Sequence, residues 1–156
     1  MMRAETKWFG TIEVDDGKII TFDKGIIGFE WCKKFTIIYD LDKGDDKGLV
    51  WLQSLDEPQL ALPVIQPQIV KDDYNPVIDN KLFSSLGENV DNESLIVYVT
   101  VTVPPDLTKM TCNLKAPVII NADTLKGVQL IAENDDYEVK YPIYDILKEK
   151  SGKDGE

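Results

Sequence analysis

Histidine is absent from this chain, which removes a large share of the chemistry that 156 residues could carry. Without an imidazole there is no Ser-His-Asp or Cys-His relay, no histidine-ligated zinc and no ordinary proton shuttle near neutral pH. Cys32 and Cys112 stand 80 positions apart, which gives neither metal-ligand spacing nor a disulfide scaffold. Both fit buried, reduced thiols, and no cofactor is expected. Gly25-Ile26-Ile27-Gly28 is followed by Phe29-Glu30 rather than the Gly-Lys-Ser/Thr ending of a phosphate loop, so it reads as a tight turn. The run Asp40-Leu41-Asp42-Lys43-Gly44-Asp45-Asp46 resembles a calcium loop but fails it residue by residue. Its sixth position is Asp45 where glycine is needed, and its twelfth is Trp51 where a bidentate glutamate is needed. A solvated hairpin tip, with Lys43 and Lys47 interleaved, accounts for it better.

Carboxylates are what remains. Two of them flanking a bond can hydrolyse a glycoside, and Asp56 with Glu57 or Asp135 with Asp136 are adjacent pairs at turn signals. With 28 acidic residues some pair must lie within reach, so abundance carries no information. No enzyme is expected. A carboxylate-based hydrolase on a β-barrel is the alternative, and a cleft with two opposed acids is its distinguishing mark.

Against 28 acidic residues stand 17 basic ones, a net charge of −11. The first 78 residues carry 9 basic and 14 acidic groups and the rest 8 and 14, so the acidity is spread and not an appended tail. A field of that sign repels phosphate backbones and favours a basic partner or plain solubility. Direct nucleic-acid binding is therefore not expected. Nor is a membrane span, since the longest apolar-rich run, 95–103, is far too short. The first residues lead into no apolar stretch of signal-peptide type, and a cytoplasmic setting is expected.

Elements able to position side chains are mostly strands. Thr11-Ile12-Glu13-Val14 and Lys18-Ile19-Ile20-Thr21-Phe22 flank Asp15-Asp16-Gly17, which predicts a hairpin with glycine at a positive-φ position. Strand signals follow at 35–39, 49–54 and 60–64, then at 95–103, where Leu95, Val97, Val99, Val101 and Val103 alternate with Ile96, Tyr98, Thr100 and Thr102. Further strands are predicted at 110–114, 118–120 and 128–131. Two short helices are predicted, one over 79–87 and one over 142–150, where Ile143, Ile146 and Leu147 share a face. The expected fold is all-β, a small single-domain β-barrel-like fold of short antiparallel strands with one or two short helices. The domain should cover 1–150, with 151–156 a disordered polar end.

Four stretches in order resemble the FliW family. They are Trp8-Phe9-Gly10 with Phe22-Asp23-Lys24-Gly25-Ile26-Ile27-Gly28-Phe29-Glu30, then Leu52-Gln53-Ser54-Leu55-Asp56-Glu57-Pro58, then Leu60-Ala61-Leu62-Pro63-Val64. The last is Asn113-Leu114-Lys115-Ala116-Pro117-Val118-Ile119-Ile120-Asn121 with Gln129. The resemblance runs from about Trp8 to Leu147. Asp23 stands where the family often has proline, and Leu62 where it often has phenylalanine. The resemblance implies a flagellar assembly factor that binds flagellin in the cytoplasm. It also implies antagonism of the translational regulator CsrA, a dimeric RNA-binding protein that represses flagellin synthesis. Flagellin contact should be apolar, since amphipathic helices need a groove.

Partner-binding candidates follow from those motifs, each with two readings. Phe29 and Trp51 either pack in the core or meet a partner. Gln53, Ser54, Asp56, Glu57 and Pro58 either satisfy a turn backbone or face a partner. Asn113, Lys115 and Pro117 form a corner between two strands, where Asn113 can also hydrogen-bond local backbone.

Overall fold

The computed structural model describes residues 2–38, 49–78 and 95–154, with side chains as far as Glu149. Eleven strands are found among them: β1 Met2–Thr6, β2 Gly10–Val14, β3 Ile20–Phe22, β4 Lys34–Ile38, β5 Val50–Ser54 and β6 Ala61–Ile65. β7 Leu95–Thr102, β8 Thr111–Cys112, β9 Val118–Asn121, β10 Lys126–Gln129 and β11 Tyr141–Pro142 follow, and helix α1 Tyr144–Asp154 ends the chain. The calcium-like loop and the predicted helix over 79–87 lie outside the described residues.

Seven strands close a barrel in the order β7-β6-β5-β4-β3-β10-β9, with β9 returning to pair with β7. The all-β expectation holds, with one correction. β3 and β10 pair in parallel, Thr21 opposite Lys126 and Phe22 opposite Gly127, so the strands are not all antiparallel. Gly127, lacking a side chain, leaves room for an aromatic ring at that seam. A Cβ on Gly127 would stand 2.5 Å from the ring of Phe22, which is fully buried and edge-on to Phe35. Phe22 and Phe35 join Leu52, Val64, Tyr98, Val118 and Ile120 in the barrel core.

β7 carries apolar residues on both faces because both are covered. Ile96 and Tyr98 belong to the barrel core, while Val97, Val99 and Val101 pack into a second cluster with Met110, Cys112, Tyr137, Ile143 and Leu147. Helix α1 lies over this second cluster: Ile143 is fully buried just before it, and Leu147 is buried within it. The helix starts two residues later than its sequence signals suggested, because Tyr141 and Pro142 pair with β8. It also takes in 151–154, residues assigned from sequence to a disordered end.

The predicted hairpin at Asp15-Asp16-Gly17 is also corrected. β2 pairs with β1, in register from Thr6 opposite Gly10 to Met2 opposite Val14, and β3 pairs elsewhere. The positive φ belongs to Gly10, at 68°, and not to Gly17. Residues 16–18 instead form one turn of 3-10 helix, capped where Asp15 Oδ1 accepts from the Gly17 amide. The β1–β2 ribbon is held to the barrel by the Lys7 amide donating to the Pro58 carbonyl (2.9 Å) and by Phe9 edge-on to Trp51 at 5.8 Å. Predicted strand 128–131 moves back to Lys126–Gln129, and 110–114 contracts to Thr111–Cys112.

Candidate partner-binding site

The corner between β8 and β9 and the glycine turn after β3 come together over a cleft of about 350 Å³. Ile26, Ile27, Phe29, Leu62, Ile131 and Val139 supply its apolar lining, with Asn113, Lys115 and Gln129 as polar members. No carboxylate lines it. Among its apolar members Ile27, Ile131 and Val139 are each more than half exposed, and gathered around one cleft they form an apolar patch of the kind that marks an interaction site.

Each wall is built locally. Gly25 and Gly28 have φ of 69° and 90°, which makes the tight turn that the sequence suggested. A Cβ on Gly25 would lie 2.5 Å from the Glu30 carbonyl oxygen, so that position admits no other residue without movement. The Phe29 amide donates to the Ile26 carbonyl (2.7 Å), which sets the half-buried Phe29 ring between the barrel core and the cleft. Across from it, Asn113 Oδ1 accepts from the amides of Lys115 (3.0 Å) and Ala116 (3.2 Å), the local bonding expected of an Asn at a corner. Lys115 Nζ donates to the Asn134 carbonyl at 2.7 Å, which draws its charge along the wall.

Gln129 ties the two walls together. Its Oε1 accepts from the Ile27 amide (2.9 Å) and its Nε2 donates to the Ala116 carbonyl (3.1 Å). Both ends of one amide are thus spent on backbone groups of different loops. The motif drew attention to Gln129, but nothing in the sequence showed this bridge. Ile131 and Val139 were missed as site residues: Val139 stands between Glu138 and Lys140, an apolar residue among charges, while Ile131 lies between Leu130 and Ala132 and carried no signal.

The second group of candidates does not line this cleft. Gln53 and Ser54 are fully buried. Gln53 Nε2 donates to the carbonyls of Ser54 (2.9 Å) and Leu60 (3.1 Å), and Ser54 Oγ accepts from the amides of Asp56 (3.1 Å) and Glu57 (2.9 Å). Asp56 Oδ2 in turn accepts from the amides of Lys33 (2.7 Å) and Lys34 (2.9 Å). Of their two readings, the turn-satisfying one describes what these side chains touch. Pro58 is exposed and Glu57 half-buried at the tip of the same turn. Pro117 is buried, and its carbonyl accepts from the Leu130 amide at 3.1 Å. Trp51 is half-buried beneath Phe9.

Cys32 and Cys112 are free and buried. Burial raises the Cys112 thiol to about 12, and it raises Cys32 too, against a hydrogen bond from Ser54 that acts the other way. Among the described residues no cluster of side chains could hold a metal ion, and no helix is long and apolar enough to cross a membrane.

The FliW protein model matches residues 3–143, nearly the whole described fold. The chain belongs to the FliW family. It is 55% identical over 149 residues to the flagellar assembly factor FliW of Lachnospira eligens, covering 96% of this chain and 99% of that protein. It is 53% identical over 156 residues to the flagellar assembly factor FliW of Lachnoclostridium phytofermentans, with 99% of each covered. A crystal structure of a flagellar assembly factor FliW superimposes with a TM-score of 0.81 at 29% identity, covering 91% of this chain and 96% of that one. This FliW-family chain is thus a flagellar assembly factor by sequence and by fold.

Proposed function

We propose that the chain binds flagellin in the cytoplasm and antagonises the regulator CsrA, relieving repression of flagellin synthesis. It acts through protein contacts and not by catalysis. The observation that carries the first half is the cleft beside Phe29. Its lining is mainly apolar, its rim exposes Ile27, Ile131 and Val139, and it holds no carboxylate pair. An amphipathic helix laid along such a groove buries one stripe and leaves its polar face wet. Phe29, Asn113 and Lys115 contact that helix directly, and Gln129 holds the walls at the right spacing. The charge of −11 supports the second half, because a basic regulator would be steered toward an acidic surface.

The test uses purified flagellin and purified regulator with the full chain. Ile131→Glu and Val139→Glu together should weaken flagellin binding by about a hundredfold, as buried apolar contacts give way to charge. Regulator binding is measured beside it, and a smaller loss there than for flagellin separates the cleft from the regulator's contact. Unchanged flagellin affinity in that variant would remove the cleft from the mechanism.

A further inference from the structure

A second cleft, of about 390 Å³, opens on another part of the surface, and its lining is unusual in being consecutive. Ile12, Glu13, Val14 and Asp15 form one wall with Lys18, and Thr36, Ile37 and Ile38 form the other. Side chains of a strand alternate between its two faces, so three neighbours in a row can border one cavity only along the strand's edge. Both walls are therefore strand edges. The pairings agree. β2 pairs with β1 alone, in a two-stranded sheet, so its other edge has no strand partner among the described residues. β4 pairs with β5 as far as Ile38, but with β3 only through Lys34 and Phe35. At Thr36 the hydroxyl donates to the Lys18 carbonyl (2.9 Å), so the β3-side edge is bare of strand partners among the described residues only along Ile37–Ile38.

We infer that this cleft takes an extended, basic segment of a partner protein, added as a strand between the edges of β2 and β4. The β2 edge offers three residues, about 10 Å of strand, to the backbone of the incoming chain, and the β4 edge offers Ile37 and Ile38. Ile12, Val14, Ile37 and Ile38 give its alternate side chains an apolar surface. A second hollow of about 230 Å³ shares Lys18, Thr36 and Ile37 with the first and continues to Ile20, Ile96 and Leu125. The apolar track is thus longer than either cavity. Charge selects the occupant. Glu13, Asp15 and the neighbouring Asp16 outnumber Lys18 at the rim, Arg3 reaches Glu13 only at 3.6 Å in an exposed pair, and the whole chain carries −11. An acidic segment would fail the charge, and a helical one would leave the strand edges unpaired. This surface is separate from the Phe29 cleft, and the inference does not depend on flagellin or CsrA.

The experiment uses a capped octapeptide alternating lysine and valine, titrated into the full chain. Controls are the same peptide with alternate backbone nitrogens methylated, which blocks pairing with one edge, and one alternating glutamate and valine. Amide hydrogen exchange reports where each binds. The lysine peptide should protect amides within Ile12–Val14 and Ile37–Ile38, and both controls should bind about tenfold more weakly or worse. Glu13→Lys, an exposed substitution that leaves the ribbon's packing alone, should weaken the lysine peptide by about threefold to tenfold. Equal affinity for the methylated peptide, protection confined to other segments, or no binding up to millimolar peptide would each overturn the proposal.

Discussion

A thiol inside a protein is held in its neutral form, and the consequence for stability has a definite sign. Cys112 ionises near 9.0 when exposed and near 12 in the fold, so in that window the native chain keeps a proton that the unfolded chain releases. The stabilisation is complete below pH 9.0 and declines as pH rises toward about 12. Cys32 is shifted in the same direction, and Tyr74, raised from 10.0 by burial, adds to the decline higher up. Denaturant titrations between pH 9.0 and 10.0 should show stability falling, and Cys112→Ala should make that slope shallower. A slope unchanged by the substitution would mean that the thiol is not protected in the fold. Native labelling with a thiol reagent should be slow for both cysteines and become fast in denaturant. Ser54 is the polar counterpart. Its hydroxyl serves two backbone amides while fully buried, so Ser54→Ala should cost about 1–3 kcal/mol by chemical denaturation. Affinity for either partner, measured on the folded fraction, should stay the same.

At the scale of elements, the seam between β3 and β10 and the docking of α1 are the places to test. Gly127→Ala puts a methyl group into the Phe22 ring, which is packed against Phe35 and has no free side to move to. The expected loss is about 1–3 kcal/mol in a thermal or denaturant melt. Leu147→Ala should cost about 2–5 kcal/mol, because the side chain is buried in the cluster under the helix. A melting temperature equal to that of the parent protein would show the helix to be undocked. Most elements were legible in the sequence because apolar alternation survives in them, as in β7, β5 and β6. β1 was not, because Met2-Arg3-Ala4-Glu5-Thr6 has ordinary alternation but few strand-favouring side chains. Asp15-Asp16-Gly17 misled because turn chemistry is local, while the choice of partner strand is not. For the same reason no pattern announced that β3 would meet β10 in parallel. The apolar rim of the cleft escaped notice because Ile131 and Val139 become neighbours of Phe29 only after the chain has folded.

For the molecule as a whole, the net charge of −11 bears on the proposed regulator contact. Added salt should slow association with the regulator while leaving its dissociation nearly unchanged, because steering beyond about 8 Å is screened at physiological ionic strength. Reversing the charges at Asp56 is a poor probe, since its carboxylate holds two backbone amides. Asp135 and Asp136 are exposed and make a cleaner one. Stopped-flow association rates across a salt series, with Asp135→Lys/Asp136→Lys beside the parent, measure the effect. Rates indifferent to both salt and reversal would leave the −11 as a device for solubility alone.

The parallel seam also sets an order of events during synthesis. Thr21 leaves the ribosome about a hundred residues before Lys126, its neighbour in the closed barrel. At translation rates of about 5–20 residues per second, β3 waits about 5–20 s with one edge uncovered. Until then β4, β5 and β6 can assemble as an open sheet, and the nascent chain presents a bare strand edge to every other chain nearby. The last third of the gene therefore carries the residues that end this exposure, and a ribosome stalled before Lys126 would release an aggregation-prone sheet in place of a barrel.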